Sequence, residues 1–349
     1  MMNFKSLTEL SLSISEPMYR EYPALSYSTI AKYEKGGFSS IPHLNDTKES
    51  DALIFGSVVD TIITEGMEKF QEKFAVADFK IPSDSIKEVI DYLLESRTEE
   101  CITNIPQDII LEACNIKEYQ MRFKDETRLS KIISEGEYYY NTVKQVGART
   151  VISDALYQEA LATVTSLKNH PQTSKYLQNT QKDSDVEFLY QQKFTTTLEG
   201  LPVRCMFDLL VVSHSKKIII PIDLKTSSML EYEFPKKYLE NRYDIQSRLY
   251  CKILKNVIQE DEYFKDFTIN NFRFMVINKH NRLPLMFTDE YSFLEGDIEV
   301  KFKSGSKKIL RDPITIGKEL QYYLDSAAMV PEGIDIEGIT SIQKRLEVL

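Results

Sequence analysis

The chain has 349 residues, of which 42% are hydrophobic and 28% charged, values ordinary for a globular protein of one large domain or two. Its net charge of −10 argues against a broad non-specific nucleic-acid binder, while leaving room for a local basic channel around acidic residues. No apolar run reaches the roughly 20 residues of a membrane span, and "MMNFKSLTELSLSIS" lacks the basic start and apolar core of a signal peptide, so a cytoplasmic protein with no membrane partner is expected.

Residues 1–24 read as a short lead of weak helical character. In "LSYSTIAKYEKGG", Ser26 or Ser28 can cap a short helix that ends at Gly36-Gly37. "ESDALIFGSVVDTIITEG" follows as a helix, with Leu53, Ile54, Val58, Ile62 and Ile63 at helical spacing and Gly66 as its stop. Residues 80–175 are mostly helical. The clearest segment there is "ISDALYQEALATVTSLKNH", with Ser153 as N-cap and Pro171 closing it.

After about residue 185 the period changes to that of strands. "VEFLYQQKFTTT" and "LPVRCMFDLLVV" flank "LEG" as a hairpin, and "SHSKK" turns into a third strand, "IIIPIDLKTS". "YDIQSRLYCKILKNVI" is then a helix, "NFRFMVINKH" a strand and "IGKELQYYLDSAA" a late helix. The predicted class is α/β: a central mixed sheet flanked by helices, preceded by a largely helical N-terminal part. The expected division is 1–180, which includes the helix carrying Gly56 and Asp60, and 181–349, which holds the sheet and the helix carrying Gln246 and Tyr250. Pro221 stands inside the third strand, where it removes a ladder donor. Either the strand is irregular there or that N–H is not needed.

The chemistry concentrates on the second and third strands. Asp223 and Lys225 are two apart, which places both on one face of a strand. Asp208 can reach that face if the strands pair through the turn at 213–217. Two carboxylates this close repel unless a cation sits between them. Mg²⁺ or Mn²⁺ suits carboxylate oxygens and polarises phosphodiesters, with the Leu224 carbonyl as a further oxygen ligand and Lys225 to stabilise developing charge. A lone Asp-x-Lys is weak evidence, since a surface pair at a strand end looks the same. The preceding strand Asp and the apolar run before Asp223 strengthen it. Cys101, Cys114, Cys205 and Cys251 contain no C-x-x-C pair and read as free thiols, against zinc, iron–sulfur or disulfide frameworks. The four histidines do not cluster, and no glycine-rich phosphate loop is present.

"GLPVRCMFD" followed by "PIDLKT" resembles the core of PD-(D/E)xK (restriction-endonuclease-like) nucleases, and more narrowly the RecE/RecB-like exonuclease branch. "LSYSTIAKY", "FGSVVDTIIT", "ISDALYQEALATVTSLKNHP" and "QSRLY" resemble further segments of that branch, in the same order, over about residues 25–250. The resemblance implies that Asp208 and Asp223 are metal ligands and Lys225 the catalytic lysine. It also implies that Gln246 and Tyr250, one turn apart, look into the site. Glu187 reads equally as an acid lining the site or an exposed acid at a strand start. Where the family's helix carries His four residues after its Gly, this chain has Asp60 after Gly56, either a retained ligand of harder character or the mark of a weakened site.

The activity implied is a Mg²⁺-dependent (or Mn²⁺-dependent) exonuclease of phage type that resects double-stranded DNA with ends. Possible partners are a single-strand annealing protein and further copies of the chain, in the host cytoplasm if phage-encoded. An endonuclease on the same core and an inactive DNA-binding or assembly protein are the alternatives. Arg204, Lys236, Lys237, Arg242 and Arg248, with "NKHNR" and "KFKSGSKK", are the candidates for phosphate contacts, although most such charges are solvated faces.

Overall fold

The computed structural model describes residues 4–46, 50–77, 82–147, 149–180 and 184–328. In chain order its elements begin α1 Glu16–Arg20, α2 Tyr27–Gly36, α3 Asp51–Thr64, α4 Gly66–Lys73 and β1 Phe74–Val76. Next come α5 Asp84–Ser96, α6 Gln107–Ile116, α7 Asp125–Val146, β2 Thr150–Ile152 and α8 Asp154–Asn169. The second half comprises β3 Val186–Leu198, β4 Leu201–Ser213, β5 Ile218–Ser227, α9 Phe234–Asn241, α10 Tyr243–Gln259, β6 Thr268–Ile269, β7 Arg273–Asn278, β8 Pro284–Thr288, β9 Ile298–Lys301, β10 Lys307–Leu310 and α11 Pro313–Ala328.

Local signals explain the clearest of these. Ser26 caps α2, its hydroxyl accepting from the Thr29 N–H at 3.3 Å. The Ser153 hydroxyl does the same for Leu156 at the start of α8. The β3–β4 hairpin turns on Glu199 and Gly200, both at positive φ (51° and 85°), the turn geometry whose twist matches that of the strands.

Two compact units result: residues 1–64 with 162–349, and residues 65–161. The division therefore differs from the boundary expected near residue 180, because α3 and the segment around Leu25 pack on the sheet while α2 packs on α10 and α11. The inserted unit has its own apolar core of Ile86, Val89, Ile90, Leu93, Ile110, Ile132 and Tyr140, from α5, α6 and α7.

The larger unit is built on a mixed sheet in the order β3-β4-β5-β7-β8, with β6 also beside β5. Pairing is antiparallel except for β5 with β6 and β7. Helix α10 packs on β3 and β4, and α3 on β5 and β4. Phe194, Phe207, Leu210, Ile219, Leu249, Ile253, Phe272 and Phe274 are buried between these layers.

Pro221 is accommodated without loss. Along β5 successive N–H groups leave opposite edges, and that of Leu224 points to the β4 side. The missing donor at 221 would therefore face the other edge. There the partner changes from β6, which ends opposite Ile219, to β7, which begins opposite Ile222. Among the described residues no helix is long and apolar enough to cross a membrane, and all four cysteines are free.

Candidate active site

The site lies where two strands part. β4 and β5 pair from Ser213–Ile218 to Leu209–Ile222 and no further, while β5 runs on beside β7 as far as Ser227–Asn278. Asp208 and Asp223 are the first residues beyond the last β4–β5 pair. Leu224 donates its N–H to Asp208 Oδ2 at 2.8 Å, so a side chain replaces the lost ladder partner. A strand residue's N–H and C=O leave the same edge, so the Leu224 carbonyl also opens on this gap. Farther along, the β4 edge is taken by Leu25. Its N–H donates to the Pro202 carbonyl, and its carbonyl accepts from Arg204, both at 2.9 Å.

Asp223 is buried and gripped on both oxygens. Gln246 Nε2 donates to Oδ1 at 2.6 Å, and Lys225 Nζ lies 2.6 Å from Oδ2. Lys225 also sits 4.8 Å from the centre of the Tyr243 ring. Burial opposes its charge, but Asp223, then Tyr243, Tyr27 and Asp208, hold its pKa above the ordinary lysine value. Tyr250, one turn beyond Gln246, is buried edge-on against Phe207 at 5.2 Å and Phe272 at 6.0 Å. Burial pushes its hydroxyl far up, and the phenol and thiol of Tyr19 and Cys205 and the two acids add to this, so it stays protonated.

Helix α3 brings Asp60 to the same place. A Cβ at Gly56 would lie 3.0 Å from Thr226 Oγ1, so only glycine lets the helix come this close to β5 without displacement. Asp208 is raised well above the ordinary carboxylate range, first by desolvation and then by the charges of Asp223 and Asp60. Lys225 and the Leu224 N–H work the other way. Asp60 Oδ2 accepts from Gln191 Nε2 at 3.0 Å.

Asp60, Asp208, Asp223, Leu224, Lys225, Gln246 and Tyr250 thus come together. Glu187 does not join them. It pairs with Val212 near the far end of the hairpin, where its carboxylate is 3.3 Å from His214 Nε2 and accepts from the Leu7 N–H at 3.4 Å. Two of the basic candidates are also placed elsewhere. Arg248 is fully buried and donates to the carbonyls of Leu294, Gly296 and Arg311 and to Asp312. Arg242 is buried between Glu34 and Asp244. Neither can meet a phosphate, because each has its donors committed inside the unit. Arg204 donates to the backbone carbonyls of Tyr22 and Arg20, bracing the lead segment, whereas Lys236 is exposed.

Sequence reasoning passed over Gln191, Tyr27 and Tyr243. Counting the hairpin register outward from its turn would have set Gln191 opposite Asp208. The two tyrosines give no local signal, since they reach Lys225 only through the docking of α2 and α10.

Asp60, Asp208, Asp223 and the Leu224 carbonyl are all hard oxygen donors, the set that suits Mg²⁺ or Mn²⁺. Their mutual repulsion at Asp208 fits a dication. Among the described residues no group of three or more His, Cys, Asp or Glu side chains is placed to hold a metal ion by itself. Lys225 instead neutralises Asp223.

No protein-family profile matches the chain, and no curated protein matches it. A solved structure from Eubacterium rectale, described as a "putative exonuclease", aligns over 80% of this chain and 80% of its own, at 14% identity and a TM-score of 0.41. A likeness this loose assigns neither family nor activity.

Proposed function

We propose that the chain is a metal-dependent deoxyribonuclease with a PD-(D/E)xK core, acting as an exonuclease on duplex DNA ends. The observation that carries this reading is the parting of β4 and β5 at Asp208 and Asp223. It sets two acids, a charged lysine and a backbone carbonyl around one gap, with a third acid brought in by α3.

Asp208, Asp223, the Leu224 carbonyl and Asp60 would hold Mg²⁺ or Mn²⁺, which when bound supplies Lewis-acid polarisation of the phosphodiester. Lys225, kept protonated, offers positive charge where negative charge develops on the phosphorus oxygens. Gln246 fixes the rotamer of Asp223, and the protonated Tyr250 closes the apolar floor behind it. A role in recombination, assembly with an annealing protein and ring-like oligomers belong to the same proposal by family resemblance.

End-labelled linear duplex and covalently closed circular DNA, each with Mg²⁺ or Mn²⁺, test it with wild type beside Asp223→Ala. Loss of the linear substrate alone, abolished in the variant, is the expected result. Cutting of the circle would make the chain an endonuclease, and DNA binding without any cleavage would make it an inactive binding protein.

A further inference from the structure

Gln191 holds a position that its sequence neighbours do not explain. The ladder pairs Tyr190 with Leu209 and Gln192 with Phe207 but not Gln191 with Asp208, so these two residues face each other across an interruption between β3 and β4. It is the one residue of β3 with positive φ, 51°, in a region that side-chain-bearing residues seldom adopt within a strand. The consequence is a side chain that leaves the sheet and reaches α3. Gln191 Nε2 donates to Asp60 Oδ2 at 3.0 Å and to Thr64 Oγ1 at 3.3 Å.

The proton inventory fixes which way the amide points. Thr64 Oγ1 donates to the Asp60 backbone carbonyl at 2.9 Å, so toward Gln191 it can only accept. The Asp60 carboxylate, when ionised, also only accepts. Both therefore require the NH₂ end, and a reversed amide would set oxygen against oxygen. On its other side α3 is located by the close approach of Gly56 to Thr226. The helix is thus fixed one turn before Asp60 by packing, and at Asp60 itself by Gln191.

We infer that Gln191 is a positioning residue, which aims the Asp60 carboxylate toward the gap between Asp208 and Asp223 and completes the oxygen donor set there. This role rests on the nuclease reading. The left-handed backbone at residue 191 is then local strain retained because it delivers the amide across the gap. Partners that orient a metal-ligating carboxylate commonly change metal affinity or activity by about 10–100-fold when removed.

The test uses the full chain, with Mn²⁺ alone as titrant in calorimetry. It compares wild type with Gln191→Gly and Asp223→Ala, beside the melting temperature without metal. Glycine relieves the positive φ, which offsets the loss of the amide's two hydrogen bonds, so Gln191→Gly should melt within a few degrees of wild type while binding Mn²⁺ about tenfold more weakly. Its DNA cleavage should recover as Mn²⁺ is raised, whereas that of Asp223→Ala should not.

Unchanged Mn²⁺ affinity in Gln191→Gly, with wild type binding normally, overturns the role of Gln191 and leaves the nuclease reading standing. A loss of affinity matched by a drop in melting temperature overturns it too, since the amide would then only hold the fold. Wild type that neither binds Mn²⁺ nor cleaves DNA overturns both.

Discussion

Gln246 and Lys225 hold opposite oxygens of one buried carboxylate, that of Asp223, each at 2.6 Å. One arrives from α10 and the other from two residues along the same strand. The carboxylate therefore has a fixed rotamer and a paired charge before any ligand binds.

Lys225→Met should accordingly do two things. Cleavage should be abolished, and the metal-free protein should lose about 1–3 kcal/mol, because Asp223 is left buried without its counter-charge, discounted for the partial exposure of the lysine. A merely exposed lysine would cost almost nothing. Urea denaturation of Lys225→Met beside Lys225→Met/Asp223→Asn measures this, with stability partly restored in the double variant.

Gly56→Leu should move α3 away from β5. The added side chain begins 3.0 Å from Thr226 Oγ1, where there is no room, and overpacking of this kind costs roughly 1–3 kcal/mol. Activity should fall further than stability, since Asp60 shifts with the helix. Melting temperature and cleavage rate measured on the same preparation separate the two losses.

Arg248→Ala should destabilise by about 3–5 kcal/mol, because the buried carbonyls of Leu294, Gly296 and Arg311 lose their donor and Asp312 keeps only Lys252, 3.6 Å away, as counter-charge. Under conditions where the variant remains folded, its affinity for DNA should equal that of wild type. A selective loss of DNA binding at full stability would return Arg248 to the list of phosphate contacts.

Lys5 and Asp261 give a pH dependence remote from the site. The Lys5 ammonium, 2.5 Å away, and the N–H groups of Phe264 and Tyr263 hold the Asp261 carboxyl below the usual carboxylate range. A carboxylate depressed on folding stabilises above its unfolded pKa, about 3.9, and that contribution disappears as pH falls through the lower folded value. Asp261→Asn should therefore be less stable than wild type at pH 7, with the difference closing below about pH 4. Thermal melts across that range read it directly.

Much of the sheet was legible because its signals are local. The strands expected at 186–197, 201–212 and 218–227 formed within a residue of those bounds, set by two-residue alternation and by the turn at Glu199-Gly200. The Asp208, Asp223 and Lys225 spacing led to the place where β4 and β5 separate. α7 was not separately identified because its buried positions, among them Arg128, Gly136, Tyr139 and Tyr140, do not read as an apolar stripe. Glu187 was misplaced relative to the acids because only the register, not the residue type, says which β3 side chain stands opposite Asp208. The place of Gln191 across from Asp208 could have been counted from the turn, but its reach to α3 could not, because that depends on a backbone angle that no side chain announces.

The cover that Leu25 provides for the β4 edge sets an order of events during synthesis. Leu25 emerges from the ribosome roughly 180 residues before Pro202 and Arg204, a wait of about 10–35 s at ~5–20 residues per second. Through that interval α3 has no sheet, and α2 no α10 or α11, to lie on. The inserted residues 65–161, with an apolar core of their own, can close first. Stalled nascent chains ending near residue 200, from which residues 65–161 have emerged but Pro202 and Arg204 have not been made, should then resist protease across the inserted helices while still being cut around Leu25, whereas early protection at Leu25 would contradict this order. Translation thus holds the two halves of the larger unit apart until the third strand has been made, and the cleft can assemble only near the end of the chain's production.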